Sequence, residues 1–370
     1  MEKFLKDLSN KIWSNLSNDH KNNWDFHRFG TQPVVSVDTR IKNEVAARLK
    51  ALKHYINATG FHYFKSEDNG TDGLQSFYFL YDILETTEDR DLLVTLLAYR
   101  ILGHRKIKLP LNTQVYWGKL KQAEGLEDKS ETIYSGFMNF QLALTDLRPI
   151  GFPIRLFFSP AGVMADFVVE QYKYEKGGVK IAVEPGDAVI DGGACFGDTA
   201  LYFAHAAGTS GKVFSFEFIP NNILIWRKNI ALNSELSSSC ELVPAPIWSS
   251  SDQPVYYKAN GPASVVSFDH FDGHDGVTKT ITLDDFVHRH NIQKLDFIKL
   301  DIEGAELNAL KGATGVLKKY KPKLAVALYH RGKDFKEIPE FINSLNCGYR
   351  FFLNHSTIHQ EETILFALAR

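Results

Sequence analysis

From Ala182 onward, short apolar runs alternate with longer helical segments, and this rhythm constrains the fold more than any other feature of the chain. The runs are Ala188 to Ile190, Val213 to Phe218, Leu242 to Ile247, Phe297 to Ile302 and Leu324 to Leu328, with helical segments between most of them. Strand, helix, strand is the signature of βαβ units, which lay successive strands parallel in one sheet. A further helix is predicted over Ile338 to Leu345, followed by the runs Tyr349 to Leu353 and Thr363 to Leu368. The connection between these two runs is too short for a crossover helix, so they must pair antiparallel. The prediction is an α/β fold with seven strands, mainly parallel, closed by a C-terminal antiparallel hairpin.

The first 165 residues read differently. Ile41, Val45, Leu49, Leu52 and Ile56 recur at helical spacing, with Lys42, Arg48, Lys50 and Lys53 off the stripe and Gly60 just beyond, which predicts an amphipathic helix. A second helix is expected to start after Thr86 and Thr87, whose hydroxyls can cap free amides, and to stop at Gly103. From Thr132 to Val169, β-branched and aromatic runs broken by Pro149, Pro153, Pro160 and Gly162 predict strands and turns. At about 100 to 200 residues per domain, 370 residues suit two domains. The expected division is an N-terminal mixed, helix-rich domain over 1–165 and the sheet domain over 166–370.

Composition removes several function classes. Lys plus Arg number 42 against 44 Asp plus Glu, a net charge of −2, so no overall positive field gathers nucleic acid. The most apolar helical stretch, Leu92 to Leu102, is far short of a bilayer span, and residues 1–10 contain no secretory apolar core. The three cysteines, Cys195, Cys240 and Cys347, are widely spaced and form no CxxC pair. A cytoplasmic protein without a membrane span or nucleic-acid partner is expected, and its oligomeric state is not legible.

The strongest local signal is Val189-Ile-Asp-Gly-Gly-Ala-Cys-Phe-Gly-Asp-Thr-Ala200, in which an apolar strand ends at Asp191, a glycine-containing turn follows and Gly197 opens a helix. Such a turn lets a ligand approach backbone amides, although a plain tight βα connection looks the same. The next strand ends at Glu217, where a carboxylate can accept both hydroxyls of a ribose; the plain alternative is a solvated strand-end acid. The turn lacks the Gly-x-Gly-x-x-Gly spacing of a dinucleotide site, and Asp191 would sit badly beside a pyrophosphate. A cofactor carrying an ammonium and a sulfonium suits it better.

Asp301 ends the fourth strand, at the sheet edge where open α/β folds bind ligands. It can contact a cofactor amino group, hold a divalent cation, act as a base or simply cap a helix. Lys299 faces the same way by strand alternation and is expected to pair with a nearby carboxylate. His330, at the end of the neighbouring fifth strand, can take a proton or bind a metal, or be structural. Arg331 and Lys333 can meet an acceptor phosphate or form a solvated turn, and His355 ranks below His330 as a base. The cluster Asp269-His-Phe-Asp-Gly-His-Asp275 is read as a polar loop in an insertion. Trp24, Phe61, Tyr63, Phe77, Tyr78 and Trp117 can stack on sugars, with core packing favoured.

Three strings together carry a family resemblance. Asp191-Gly-Gly-Ala-Cys-Phe-Gly-Asp, Ser215-Phe-Glu-Phe-Ile-Pro-Asn-Asn222 and Asp296-Phe-Ile-Lys-Leu-Asp-Ile-Glu-Gly-Ala-Glu306, with Leu310-Lys-Gly-Ala313, resemble the FkbM family of S-adenosylmethionine-dependent methyltransferases. The resemblance spans roughly Val168 to Arg370 and departs at Cys195, where many members carry Asn. It implies a Rossmann-like, seven-stranded class I methyltransferase sheet. It also implies that Asp191, Gly193, Ala194, Cys195 and Gly197 wall the methionine end of S-adenosyl-L-methionine. Glu217 would hold the ribose, Phe218 and Ala245 would border the adenine, and Asp301 would reach the cofactor's amino group.

The function expected from this resemblance is methyl transfer to a hydroxyl of a sugar, glycan or polyketide-type acceptor, with Asp301 and His330 as the catalytic pair. A divalent cation is possible there, but no metal set is predicted. The competing reading is an inactive cofactor- or nucleotide-binding module that recruits a partner through its N-terminal domain. The joint presence of Asp191, Glu217, Asp301 and His330 speaks against it. A nicotinamide dehydrogenase conflicts with the missing phosphate-loop glycine.

Overall fold

The computed structural model describes residues 1–21, 23–25, 73–136, 140–259 and 264–370. The helix expected over Ile41 to Ile56, together with Phe61 and Tyr63, lies outside them.

The centre of the molecule is a seven-stranded sheet. Its strands are β1 (Ala188–Gly192), β2 (Lys212–Phe216), β3 (Cys240–Val243), β4 (Phe297–Leu300), β5 (Lys323–Ala327), β6 (Tyr349–His355) and β7 (Thr363–Ala369). The spatial order is β6-β7-β5-β4-β1-β2-β3. β1 to β5 run parallel, whereas β7 is antiparallel to both β5 and β6, as the short final connection requires. The topology reverses between β1 and β4, and the site is built at that switch point.

Several strands stop earlier than their apolar runs. β2 ends at Phe216 because the Glu217 carboxylate accepts the amides of Phe218 and Ile219 and turns the chain. β3 ends at Val243, not Ile247: Ala245 donates back to Val243, and Pro246 has no N–H to offer a ladder. β4 and β5 close at Leu300 and Ala327, so Asp301 and the pair Tyr329 and His330 lie in the loops just beyond. The strand pattern expected up to Val169 gives three short strands, Glu127–Tyr134, Gln141–Asp146 and Arg155–Phe158, and then turns helical. Ser159 causes the change, since its hydroxyl accepts the Gly162 amide and Pro160 occupies the first helical position. Met164–Val168 continues as a π turn carrying Asp166.

Both sheet faces are covered. Ile190, Leu300 and Leu324 share one core with Phe4 and Leu8 of α1 (Glu2–Asn15), Leu80 of α2 (Gly73–Ile83) and Leu93 and Leu97 of α3 (Thr87–Leu102). α3 begins and ends where the sequence predicts: the Thr86 hydroxyl accepts the Asp89 amide, and Gly103 follows with φ +81°. The described N-terminal helices therefore share the sheet's own core on that face. On the other face, Val189, Phe297 and Ala325 pack with α4 (Asp198–Ala207) and α5 (Pro220–Ala231). Asn229 of α5 and Asn233, just beyond its end, bond the backbone of Phe157 and Arg155, docking the small N-terminal sheet onto this side.

Candidate active site

Three strand ends meet at the switch point, and each brings a carboxylate. Asp191 closes β1, fully buried. Lys299, its opposite residue in the parallel β4–β1 register, places Nζ 3.2 Å from Asp191 Oδ1 and donates to the Gly193 carbonyl at 2.8 Å. The Thr199 hydroxyl lies 3.0 and 2.9 Å from the two Asp191 oxygens. Lys299 was expected to be a structural ion pair, and this is its partner. The pairing spends the Asp191 charge inside the protein.

The glycine turn is shaped by backbone approach. Gly193 has φ +82°, and a Cβ there would stand 1.9 Å from the Asp301 carbonyl oxygen. Only glycine lets the β1 and β4 loops touch. The Gly193 and Ala194 amides both donate to the Phe216 carbonyl at 3.1 Å, fixing the turn against β2. Cys195 takes φ 40°, and Gly197, at φ +84°, abuts the Trp226 ring. Burial, reinforced by the Asp198 and Glu217 charges, holds the Cys195 thiol far above its ordinary range, which removes it as a nucleophile.

Glu217 is buried at the end of β2. Its Oε1 accepts the amides of Phe218 and Ile219 at 2.6 and 2.7 Å, and Oε2 accepts the Asn222 side chain at 3.1 Å. Burial raises its pKa against these hydrogen bonds. Phe218 is half-buried and meets Tyr257 edge-on at 5.7 Å, so the inserted sheet of Pro254–Lys258, Val265–Ser267 and Gly276–Lys279 covers this corner. Ala245 is half-buried beyond β3.

Asp301 collects hydroxyl donors from two parts of the chain. The Tyr172 hydroxyl donates to Oδ2 at 2.7 Å, and Tyr329 lies 3.0 and 3.1 Å from the two oxygens. Burial and the Asp301 charge push both phenols far above their usual range, so each remains a donor. His330 Nε2 stands 3.3 Å from Asp301 Oδ1, and His330 Nδ1 is 2.9 Å from Glu306 Oε1. Burial would lower the His330 pKa, but the Glu306 hydrogen bond and the charges of Asp301, Glu306 and Glu303 outweigh it and raise the ring to about 9. Glu306 Oε1 also accepts the amides of Ile302 and Gly304, at 2.8 and 3.3 Å, and so shapes the loop that carries Asp301.

Asp198 follows the glycine turn directly, and a second acid, Asp166, lies beside it. Asp198 opens α4, and its Oδ1 is buried with no hydrogen-bond partner. Burial and the nearby Asp198 charge hold the Asp166 carboxyl well above its ordinary range.

Asp191, Gly193, Ala194, Cys195, Gly197, Glu217 and Asp301 are thus gathered at adjoining strand ends, with His330 beside Asp301. His355 is not part of this group: it is buried, its ring bonds Thr363, and burial depresses it to about 3. Arg331 and Lys333 line an open groove of about 580 Å³ with Lys311, Asp334, Glu337 and Glu340. The Asp269 to Asp275 segment is the connection of the inserted sheet, where His270 and His274 pack on Tyr256. Phe77 packs on Phe335, Tyr78 on Phe4, Trp24 on His104 and Trp117 on Tyr116, all as protein contacts.

Sequence reasoning missed Tyr172 and left Glu306 without a role. Tyr172 sits 129 residues from Asp301 in a segment without a motif. Glu306 was in plain view inside Asp301-Ile-Glu-Gly-Ala-Glu306, four and two residues from the amides of Ile302 and Gly304 and 24 from the histidine that it joins to them.

Among the described residues, no helix is long and apolar enough to cross a membrane. No curated protein matches the chain. Of solved structures, the chain is similar to methyltransferase FkbM from Methylobacillus flagellatus KT, at 17% identity and TM-score 0.50, covering 80% of this chain and 59% of that one. It is more distantly similar to Aeropyrum pernix fibrillarin in complex with S-adenosyl-L-methionine (11% identity, TM-score 0.38, 62% and 90% covered). The same holds for an S-adenosylmethionine-dependent O-methyltransferase from Thermotoga maritima (14%, TM-score 0.33, 55% and 64%). The model of the methyltransferase FkbM domain matches residues 191–351, a span that runs from the β1 carboxylate to β6 and holds both strand-end clusters. Over that span the chain is similar to the FkbM methyltransferases.

Proposed function

We propose that the protein transfers a methyl group from S-adenosyl-L-methionine to a hydroxyl of a sugar, glycan or polyketide-type acceptor. The observation that carries this reading is the position of Asp301: a carboxylate just past β4, against the glycine turn, oriented by two phenols and a histidine. When bound, the cofactor supplies an electrophilic methyl on a sulfonium. The fit of its ammonium rests on Asp198 Oδ1, a buried acceptor without a partner. Glu217 is the residue for the ribose, Gly193 to Gly197 wall the methionine end, and Phe218 with Ala245 borders the base.

The chain's own task is to hold the acceptor oxygen in line with the methyl, where positioning supplies about 7 to 11 kcal/mol. Proton removal adds about 100- to 10,000-fold. His330 carries its own proton at neutral pH, so Asp301 is the group that receives the acceptor's proton, and His330 aligns it. N-terminal residues packed around the sheet would shape the acceptor pocket.

Calorimetry and a transfer assay test this reading. S-adenosylmethionine should bind the wild type, and Glu217→Ala should abolish the heat; unchanged binding would remove Glu217 from the cofactor site. With labelled donor and a panel of hydroxyl acceptors, Asp301→Asn should cut turnover about 100-fold or more while cofactor binding survives. Cofactor binding by the wild type without transfer to any oxygen would favour the binding module.

A further inference from the structure

We infer that Asp301, His330 and Glu303 form a seat for a divalent first-row cation of the Mn²⁺ to Zn²⁺ series, with Glu306 as the outer carboxylate that orients the histidine. The seat is argued from these side chains alone and holds whether or not the methyl-transfer reading is right.

Among the described residues, one group of acids and histidines has metal-like spacing: donor atoms of Asp301, Glu306 and His330 lie within 4.8 Å of one another. Proximity alone would not suffice, because an ion pair or a capped helix gathers the same residues. The unsatisfied atoms decide the matter. The His330 side chain is only 7% exposed, and its Nε2 has no hydrogen-bond partner. That nitrogen points between two carboxylate oxygens, Asp301 Oδ1 at 3.3 Å and Glu303 Oε2 at 3.6 Å, and bonds neither. A buried polar atom left this way costs free energy unless something outside the chain completes it.

A small cation fits the spacing. Metal–ligand bonds of about 2.0 to 2.2 Å put neighbouring ligand atoms about 3.0 to 3.5 Å apart. The Asp301 separation falls within that range, and Glu303, on a half-exposed side chain, needs only a small rotation. The outer contacts have the form that a metal-bound histidine requires. Nδ1 faces Glu306 Oε1 at 2.9 Å, which holds the ring with Nε2 turned to the site, where a bound cation takes the place of the Nε2 proton. Tyr172 and Tyr329 hold the carboxylate of Asp301 in the same way. One imidazole with carboxylates selects the Mn²⁺ to Zn²⁺ series over Ca²⁺. Three protein ligands leave positions open for an acceptor hydroxyl, which the cation would hold beside Asp301.

The test uses the full chain, stripped with a chelator and titrated with Mn²⁺. One equivalent should bind, and pulsed electron paramagnetic resonance should show the nitrogen of a single imidazole. Asp301→Asn and His330→Gln should each weaken binding at least about 10-fold, and Glu306→Gln, which keeps an oxygen for the backbone amides, by about 10- to 100-fold. His274→Gln, in the inserted sheet, should change nothing. Absence of the nitrogen signal in the wild type, which needs no variant to fold, would overturn the seat. So would stoichiometric binding that survives Asp301→Asn with His330→Gln. Cofactor calorimetry in chelator is a separate readout: its heat can persist with no Mn²⁺ bound, or fail with Mn²⁺ bound, so the two readings fall independently.

Discussion

Asp191 and Asp301 end adjacent parallel strands, yet their surroundings are opposite. Asp191 is fully buried, paired with Lys299 across the register and bonded by Thr199, so its charge is answered within the fold. Asp301 lies one loop away among Glu303, Glu306 and His330, where negative charge exceeds positive and His330 Nε2 and Glu306 Oε2 have no hydrogen-bond partner. The same residue type at the same kind of position is answered by a lysine in one case and gathered with further acids and a histidine in the other. What separates them is whether the neighbouring strands supply the compensating group.

The sharpest way to break this contrast is Lys299→Met. It strands a buried carboxylate, and urea unfolding should report a loss of about 3 to 5 kcal/mol. A loss below about 1 kcal/mol would mean that Asp191 is answered by something else, and the contrast with Asp301 would fail. Thr199→Val is a milder probe of the same pair. It removes a hydroxyl that bonds a charged group and should cost about 1.5 to 3 kcal/mol, with cofactor affinity much less affected than by Glu217→Ala.

An effect spread along the pH axis contrasts His355 with His330. Burial depresses His355 to about 3, below the 6.5 of an exposed imidazole. The unfolded chain therefore binds a proton between these values that the native state refuses. Stability is complete above pH 6.5 and declines toward pH 3, by at most about 1.4 kcal/mol per pH unit. Melting temperatures measured from pH 7 to pH 4 should fall less steeply for His355→Gln than for the wild type. Equal slopes would show that His355 is not held neutral.

Much of the fold was legible because it rests on local rules. Apolar runs between helical segments specify a parallel sheet, and too short a connection before Thr363 forces the antiparallel hairpin. Strand ends were less legible: a side chain such as Glu217, bonding its own following amides, stops a strand that its apolar neighbours would continue. The turn glycines were read as making room for a ligand, whereas Gly193 first makes room for the Asp301 carbonyl. The site was half legible. Asp301 and His330 could be singled out from their strand-end positions, but Tyr172 is distant in sequence and Glu306 looks like any acid in the first turn of a helix.

The order of residues by itself determined the α/β sheet, its closing hairpin and the set of carboxylates at its strand ends, because periodicity and turn chemistry act over a few residues. Only the tertiary structure decided which of those carboxylates is paired with a lysine and which is set among phenols, acids and a histidine. That outcome depends on Lys299 falling opposite Asp191 in the β4–β1 register and on Tyr172 arriving from 129 residues away. The charge of a buried group is set by what surrounds it in space, and chain assembly supplies those neighbours.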